Sequence, residues 1–209
     1  MTPKYSIIVP AHNSASFIQK CLNSIEDQVF DPEMYELIVV CDSCEDNTDR
    51  VAYQYANQVL HVDFRNDGPT RQAGVDVARG EWILFLDDDD YWLHEYVLQL
   101  IDQNVDEDTD MLCFGFIFKG IGYAEPVRYS LGLGRKMFWP SVWNKCYKKS
   151  FIEDTPFHHV EATPDGQAAD IEWTNRLLQK PFSYKTLNQP LYYYNYMRAG
   201  SQTMTKVKI

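Results

Sequence analysis

Four short apolar runs in the first half of the chain limit its fold more than any other feature. Continuous runs rich in Ile, Val and Leu are typical of strands that are buried on both faces, as in a parallel sheet. Segments with helical periodicity follow these runs, and strand then helix four times over predicts a wound α/β domain. In such a domain ligands bind at the carboxyl ends of the strands. The runs are Tyr5–Val9, Glu36–Val40, Val59–Val62 and Trp82–Leu86.

Helical periodicity and two later apolar runs complete the predicted elements. Helices are predicted at 17–25, 51–56, 71–79, 92–105, 141–151 and 168–178, and further strands at 111–118 and 191–196. The expected N-terminal caps are Asn13 or Ser14 for the first helix, Asp46 for the second and Asp90 for the fourth. The length predicts a single domain over residues 1–209, with a change of role near residue 110.

The composition argues against two classes of protein. Lys and Arg total 19 against 30 for Asp and Glu, whereas a protein that binds a nucleic-acid backbone presents a basic face. The first apolar run is too short for a signal peptide, and no stretch approaches the ~20 apolar residues of a membrane helix. The five cysteines lack secretory spacing, so we expect reduced thiols and a cytoplasmic protein.

Four consecutive aspartates, Asp87 to Asp90, follow the most apolar strand of the chain. Like charges this close repel one another unless water or a cation offsets the repulsion. In extended backbone the side chains of Asp87 and Asp89 point the same way, and two carboxylates could hold a hard divalent cation. The alternative is a solvated acidic turn whose last residue caps the next helix. The position after a buried strand favours the metal site.

The second strand is followed by a Cys-x-x-Cys segment, Cys41 to Cys44, with acidic neighbours. Such a segment at a strand-to-helix junction can form a redox dithiol, because its position lowers a thiol pKa. The flanking acids disfavour a thiolate, so two small packing residues are the preferred interpretation. Asp42 at the strand tip is the better candidate, since its carboxylate can accept a hydrogen bond from a base or a sugar.

The second half carries fewer candidates for chemistry. Asp170 and Glu172 stand at the start of a predicted helix, where acids more often complement the helix dipole than catalyse. Arg71 and Arg198 are candidate anion clamps, although lone arginines more often form structural ion pairs. His12 follows the first strand and could line a ligand pocket.

These segments, in this order, resemble the family 2 inverting glycosyltransferases of the GT-A fold, especially the bacterial enzymes that extend surface polysaccharides. Ser6–Asn13 is similar to that family's first strand and its P-x-[HY]-N turn. Ile38–Thr48 is similar to the segment V-V-D-D-G-S-x-D-N-T, with Cys41 in place of the first Asp. Gly68–Asp90 resembles the motifs G-x-x-x-A-R-N-x-G and A-x-G-x-Y-I-x-F-L-D-x-D-D, with Gln72 in place of the usual Asn.

Three later segments extend the resemblance, which runs from Ser6 to about Thr203. Val142–Phe151 is similar to the W-N-K-x-Y-r-r segment of the bacterial branch. Ala169–Asp170 aligns with an E-D pair whose Asp is the family's general base, and the Glu is missing here. Tyr194–Ser201 resembles the Y-R-x-R-x-G-S loop near the donor's pyrophosphate.

The resemblance implies a GT-A domain with a Rossmann-like, mostly parallel sheet flanked by helices. It implies transfer of a sugar, with inversion, from a nucleotide-diphosphate donor, expected to be a UDP-sugar, to an acceptor hydroxyl. Mn²⁺ or Mg²⁺ would be held by Asp87 and Asp89, and Asp170 would be the general base. The residues expected around the donor are Pro10, Ala11, His12, Asn13, Asp42, Arg71, Asp87, Asp88, Arg198 and Ser201.

The same reading assigns residues 1–110 to the nucleotide-sugar donor and residues 111–209 to the acceptor, a glycan or a lipid-linked glycan. It places the protein in the cytoplasm, at or near the inner face of the membrane. Two other classes stay open. A catalytically impaired nucleotide-sugar-binding protein would share the donor half, and the altered segment around Cys41 and the missing Glu before Asp170 fit it. A nucleotidyltransferase would need a glycine-rich basic loop after the first strand, which Pro10–Ser14 does not supply.

Overall fold

The structure, a computed structural model, describes residues 2–130, 135–161 and 169–195. The first half contains β1 (Tyr5–Ala11), α1 (Ile18–Glu26), a 3₁₀ turn (Pro32–Met34), β2 (Tyr35–Asp42), α2 (Thr48–Ala52), β3 (Gln58–Val62), α3 (Asp67–Val77), β4 (Trp82–Phe85), β5 (Tyr91–Trp92) and α4 (Val97–Asp102). The second half contains β6 (Met111–Phe118), β7 (Gly122–Ala124), β8 (Val127–Ser130), β9 (Arg135–Phe138), β10 (Lys145–Lys148), α5 (Lys149–Ile152), α6 (Ala169–Leu177) and β11 (Tyr184–Tyr194).

One sheet runs through both halves of the described chain. Its strand order is β3-β2-β1-β4-β10-β6-β11-β5, with β7 beside β6, while β8 and β9 pair separately. The first four strands are parallel, and so are β6 and β11, but β10 lies antiparallel to both β4 and β6. The predicted α/β class is confirmed, although the antiparallel β5, β7 and β10 make the sheet mixed.

The central strand β1 shows why a continuous apolar run predicts burial on both faces. Successive side chains of a strand point to opposite faces of the sheet. Ile7 and Val9 pack into one hydrophobic cluster and Ile8 into the other, and none of the three has exposed surface. The covering helices therefore leave only the strand ends open to ligands.

Three local predictions are wrong. The helical pattern at 141–151 belongs instead to β10 and the short α5, because Cys146 and Tyr147 complete the sheet between β4 and β6. The helix predicted from 92 begins at Val97 after Tyr96, so Asp90 is not its cap. At α1 the backbone carbonyl of Ser14, not a capping side chain, accepts from the N–H of Ile18.

No helix in the described ranges combines the length and the apolar character needed to cross a membrane.

Candidate active site

The four aspartates form a tight turn at the end of β4 rather than an extended strand. The N–H of Asp90 donates to the carbonyl oxygen of Asp87 at 3.0 Å, which closes the turn. The argument that Asp87 and Asp89 share one side of an extended backbone is therefore wrong, since β4 ends at Phe85. The turn nevertheless keeps the carboxylates near one another. As a result the charge of Asp89 adds to burial in raising the pKa of both Asp87 and Asp88.

The first two acids of this turn are held by α3 and by the residue that follows β1. Arg71 donates from Nη2 to Oδ1 of Asp87 at 2.8 Å, in an ion pair whose arginine is almost completely buried. The backbone N–H of His12 donates to Oδ2 of Asp88 at 3.1 Å. The turn is thus fixed to the carboxyl end of β1 and to the first half of α3.

Asp90 has a structural role that the sequence did not indicate. It is 1% exposed, and its carboxylate accepts from the hydroxyl of Tyr192 at 2.6 Å and from the N–H of Asn195 at 2.7 Å. Both partners lie at the end of β11, about a hundred residues away along the chain. Asp90 therefore ties the aspartate turn to the second half of the protein.

The aspartate turn carries more negative charge than its surroundings neutralise. Burial raises the pKa of Asp87 to about 6, against the opposing charge of Arg71, and burial together with Asp89 raises the pKa of Asp88 to about 8. A cation bound beside these partly exposed carboxyl groups would favour their charged forms and so lower both pKa values.

Arg71 lies between the aspartate turn and α6. Burial alone would lower its pKa, but Asp87, Asp67 and Asp170 together raise it, so the guanidinium stays charged. Asp67, one turn earlier on α3, lies 3.9 Å from the Nη1 atom of Arg71. A single arginine thus faces the acids of three segments of the chain.

Asp170 stands at the start of α6, as predicted, and its carboxylate accepts from the N–H of Ile171 at 3.1 Å. Burial raises its pKa above the ordinary value, and the positive charge of Arg71 acts in the opposite direction. A carboxylate with a raised pKa is a better proton acceptor than an ordinary surface aspartate. The role of Asp170 as the general base stays a prediction.

Asp42, predicted to contact the base or the sugar of the donor, is the last residue of β2 and lies within a network of hydrogen bonds. It is 4% exposed, and its two carboxylate oxygens already accept five hydrogen bonds within the chain. Burial would raise its pKa, but these donors reverse the effect and lower it. The residue thus organises the loop between β3 and α3. The donors are the N–H groups of Phe64, Arg65 and Asn66 and the hydroxyls of Ser43 and Thr70.

The predicted donor-binding loop after β1 is interlocked with the loop after β2. Pro10 and Ala11 are the last residues of β1 and pair with Val40 and Cys41 of β2. The Nδ1 atom of His12 lies 2.6 Å from the carbonyl oxygen of Asp42. Asn13, in the left-handed region with φ 48°, accepts from the N–H of Glu45 at 2.8 Å. The exposed His12 and Asn13 therefore have fixed positions.

The neighbouring thiols of Cys41 and Cys44 influence each other's ionisation. Interaction with Cys44, together with burial, raises the pKa of Cys41, whereas interaction with Cys41 lowers the pKa of Cys44 to about 7. The charge of Asp46 raises the pKa of Cys44, as the flanking acids predict, but the effect of Cys41 is larger. Cys44, whose Sγ donates to the carbonyl of Ala11 at 3.4 Å, is the more accessible of the two.

The residues of the aspartate turn fit a divalent cation of the magnesium or manganese type. Asp87 and Asp89 supply hard oxygen donors in a crowded acidic site, and such ions commonly bind through one or two carboxylates plus substrate phosphates. Asp90 does not belong to this set, since both of its oxygens have protein partners. In the described residues no group of three or more His, Cys, Asp or Glu is arranged to hold a metal by itself.

Two predicted residues, Arg198 and Ser201, lie outside the described residues. Several residues that shape the site were missed by the sequence reasoning, namely Asp67, Thr70, Gln72, Tyr192 and Asn195. For Asp67 a signal was present, because it precedes Arg71 by four residues on a predicted helix, a spacing that favours an ion pair. The others act through contacts distant in sequence, which no local pattern reveals.

Comparison with known proteins places this geometry in a family. The model for "Glycosyl transferase family 2" matches residues 6–191. The chain is 27% identical over 219 residues to "Putative glycosyltransferase EpsH" of Bacillus subtilis, covering 92% of this chain and 61% of that protein. It is 26% identical over 210 residues to the poly(ribitol-phosphate) beta-N-acetylglucosaminyltransferase TarS of Staphylococcus aureus, covering 94% of this chain and 36% of that protein. The chain thus spans less than two thirds of either relative.

Solved structures show the same fold. The S. aureus TarS 1–349 structure with UDP-GlcNAc matches with a TM-score of 0.79 at 24% identity, over 99% of this chain and 62% of that chain. The structure with UDP matches at 0.77 and 26% identity, over 91% and 60%. The mannosyltransferase PcManGT from Pyrobaculum calidifontis, with GDP-Man and Mn²⁺, matches at 0.71 and 15% identity, over 96% and 59%. The expected GT-A fold is confirmed, and the chain belongs to glycosyl transferase family 2.

Proposed function

We propose that this protein transfers a sugar, with inversion, from a UDP-sugar to an acceptor hydroxyl during the synthesis of a surface polysaccharide or related glycan. The observation that carries the proposal is the convergence of the aspartate turn, Arg71 of α3 and Asp170 of α6 around one charged site. Such a site combines a place for a diphosphate with a partly buried proton acceptor. Family membership, and relatives whose names include glycosyltransferase, support the same conclusion.

The donor would bind along the carboxyl ends of β1, β2 and β4. The nucleotide would lie against the end of β1, Pro10 and Ala11, and the following His12 and Asn13. TarS structures with UDP and UDP-GlcNAc support a uridine donor. Asp42 would act by holding the backbone of the adjacent loop in place. Arg198 and Ser201 remain predicted contacts to the pyrophosphate.

Asp87 and Asp89 would hold Mn²⁺ or Mg²⁺, with Asp88 beside them. A bound divalent cation would neutralise the charge that develops on the leaving diphosphate. The PcManGT structure with Mn²⁺ supports this cofactor class. Within the protein, Arg71 orients Asp87 through their ion pair and adds positive charge next to the place proposed for the diphosphate.

Asp170 would take the proton from the acceptor hydroxyl as that oxygen attacks the anomeric carbon. In-line attack from the side opposite the leaving group inverts the anomeric centre and needs a base on the acceptor side. α6 belongs to the second half, to which the acceptor is assigned, a glycan or a lipid-linked glycan. The reduced thiols keep the cytoplasm as the expected location.

One experiment tests both parts of this proposal. Release of UDP from UDP-GlcNAc, with water as the acceptor, is measured for wild type, Asp170→Asn and the exposed control Asp108→Asn, and UDP binding is followed by thermal shift with and without Mn²⁺. We expect Asp170→Asn to lose activity by about 10²- to 10⁴-fold, with the UDP-induced shift retained. The double variant Asp87→Asn, Asp89→Asn should lose the part of the shift that depends on Mn²⁺.

Full hydrolytic activity in Asp170→Asn would refute its assignment as the base. If the UDP-induced thermal shift still depended on Mn²⁺ in the double aspartate variant, the metal site would be refuted. Metal-dependent UDP binding by a wild-type protein that neither transfers nor hydrolyses any nucleotide sugar would identify a binding protein instead of an enzyme.

A further inference from the structure

Residues 155–160, which we call the bridging segment, are held by α6 on one side. The indole Nε1 of Trp173 donates to the carbonyl oxygen of Thr155 at 2.6 Å. Arg176, one turn later on the helix, donates from Nη2 to the carbonyl oxygen of Pro156 at 2.7 Å. Two side chains of α6 thus donate hydrogen bonds to consecutive carbonyls of the bridging segment.

The other side of the bridging segment is held by α3 and the residue before it. The Oε1 atom of Gln72 accepts from the N–H of Phe157 at 2.7 Å, and Asn66 donates from Nδ2 to the carbonyl of Val160 at 2.8 Å. A methyl group at Gly68 would lie 2.1 Å from the carbonyl oxygen of His158. The backbones therefore approach so closely here that only glycine fits.

The aromatic ring of Phe157 links the same two elements to the aspartate turn. It stacks on Trp173 with a centroid distance of 4.1 Å and an interplanar angle of 11°. It also contacts Phe85 edge-on at 5.5 Å. Trp173 lies three residues after Asp170, and Phe85 lies two residues before Asp87. The bridging segment therefore packs between the strand that leads to the aspartate turn and the helix that carries the proposed base.

Gln72, like Asn66, joins this packing to the donor half through a hydrogen bond. It follows Arg71 directly on α3, and its Nε2 donates to Oδ1 of Asp76 at 2.6 Å. That second bond fixes the amide so that Oε1 faces the N–H of Phe157. Removal of the Gln72 acceptor would leave this N–H, in a residue only 4% exposed, without the partner it has in the structure.

We propose that Gln72 is a positioning residue that, through the bridging segment, fixes the distance of Asp170 from the aspartate turn. The inference rests on the proposed function, since it assigns Asp170 as the base. Gln72 contacts neither substrate nor metal in this scheme. Its effect would fall on the chemical step, because donor contacts come from β1, β2 and β4, whereas the base comes from α6.

The test compares Gln72→Met, which keeps the size of the side chain but removes the acceptor, with a partner swap. The swap is Gln72→Glu combined with Asp76→Asn, in which the carboxylate accepts from Phe157 and the new amide donates back to it. Gln54→Met, an exposed change on the other side of β2, is the matched control. The measurements are kcat for UDP release from UDP-GlcNAc, the Kd of UDP, and hydrogen exchange of the peptides that cover 155–161 and 169–177.

We expect Gln72→Met to lower kcat by about 10- to 100-fold, with the Kd of UDP unchanged within about twofold. Hydrogen exchange should become faster in both peptides, and the partner swap should restore both kcat and protection. The control should behave like wild type.

The proposal would be overturned if Gln72→Met kept the wild-type kcat, or if it weakened UDP binding as much as it slowed turnover. It would equally be overturned if kcat fell with exchange of residues 169–177 unchanged, or if the swap failed to restore turnover. A fully active Asp170→Asn variant would refute the base assignment instead, and the exchange data would still report whether Gln72 holds α6.

Discussion

Replacement of Arg71 by methionine should destabilise the protein through the charges left behind. The Arg71 side chain is 7% exposed and that of Asp87 is 24% exposed, and the two are joined by a 2.8 Å ion pair. Removing one partner of a fully buried pair costs about 3–5 kcal/mol. Since Asp87 keeps some contact with water, we expect a loss of about 2–3 kcal/mol. For a chain of this length that corresponds to a fall in Tm of about 4–12 °C.

The effect of charge can be separated from the loss of packing by a double-mutant cycle. Urea unfolding followed by circular dichroism gives the free energy of unfolding of Arg71→Met, Asp87→Asn and the double variant. The double variant should be more stable than the sum of the single losses predicts, by about 1–2 kcal/mol, because no uncompensated carboxylate remains. Asp67→Asn is the control, since its 3.9 Å pair with Arg71 is more exposed and should contribute under ~1 kcal/mol. Strict additivity of the two single changes would refute the reasoning.

Two further predictions concern titrating groups. Glu36 is buried, but hydrogen bonds from Ser6 and Arg79 outweigh burial and lower its pKa. Its charged form therefore stabilises the folded protein above the unfolded pKa of ~4.3, and this contribution is lost as the pH falls through the folded pKa. Glu36→Gln should therefore lower the free energy of unfolding at pH 7 by about 1–3 kcal/mol, with the difference shrinking in acid; a constant difference from pH 7 to pH 3 would contradict this. Cys44 should be alkylated by iodoacetamide with half-maximal rate near pH 7, as read by mass spectrometry, because of its interaction with Cys41. Cys41→Ala should move that midpoint upwards, and an unchanged profile would exclude the proposed cause.

Much of the first half could be predicted because its strands can be recognised from short stretches of sequence. β1, β2 and β4 are buried on both faces, and such strands leave continuous apolar runs that need no knowledge of their neighbours. The ligand-bearing loops follow from the same rule, since they come directly after these runs. Asp170 was likewise found at the start of a helix whose period is visible in the sequence.

Other predictions failed because the outcome is set by partners far away in the chain. β10 has only four residues, within a stretch whose pattern also fits a helix, and its pairing with β4 and β6 makes it a strand. Asp90 resembled a helix cap, yet its carboxylate accepts hydrogen bonds from Tyr192 and Asn195, at the end of the chain's last described strand. For Asp42, only the fold shows that the loop after β3 supplies hydrogen-bond donors to both of its carboxylate oxygens.

The amino-acid sequence alone determined which residue types stand at each strand end, because burial and backbone geometry restrict short segments independently of the rest of the chain. Only the tertiary structure decided which of those acids remain available for chemistry. Hydrogen bonds and charges act over a few ångströms of space, and the residues that satisfy Asp90, orient Asp87 and raise the pKa of Asp170 arrive there from other parts of the fold.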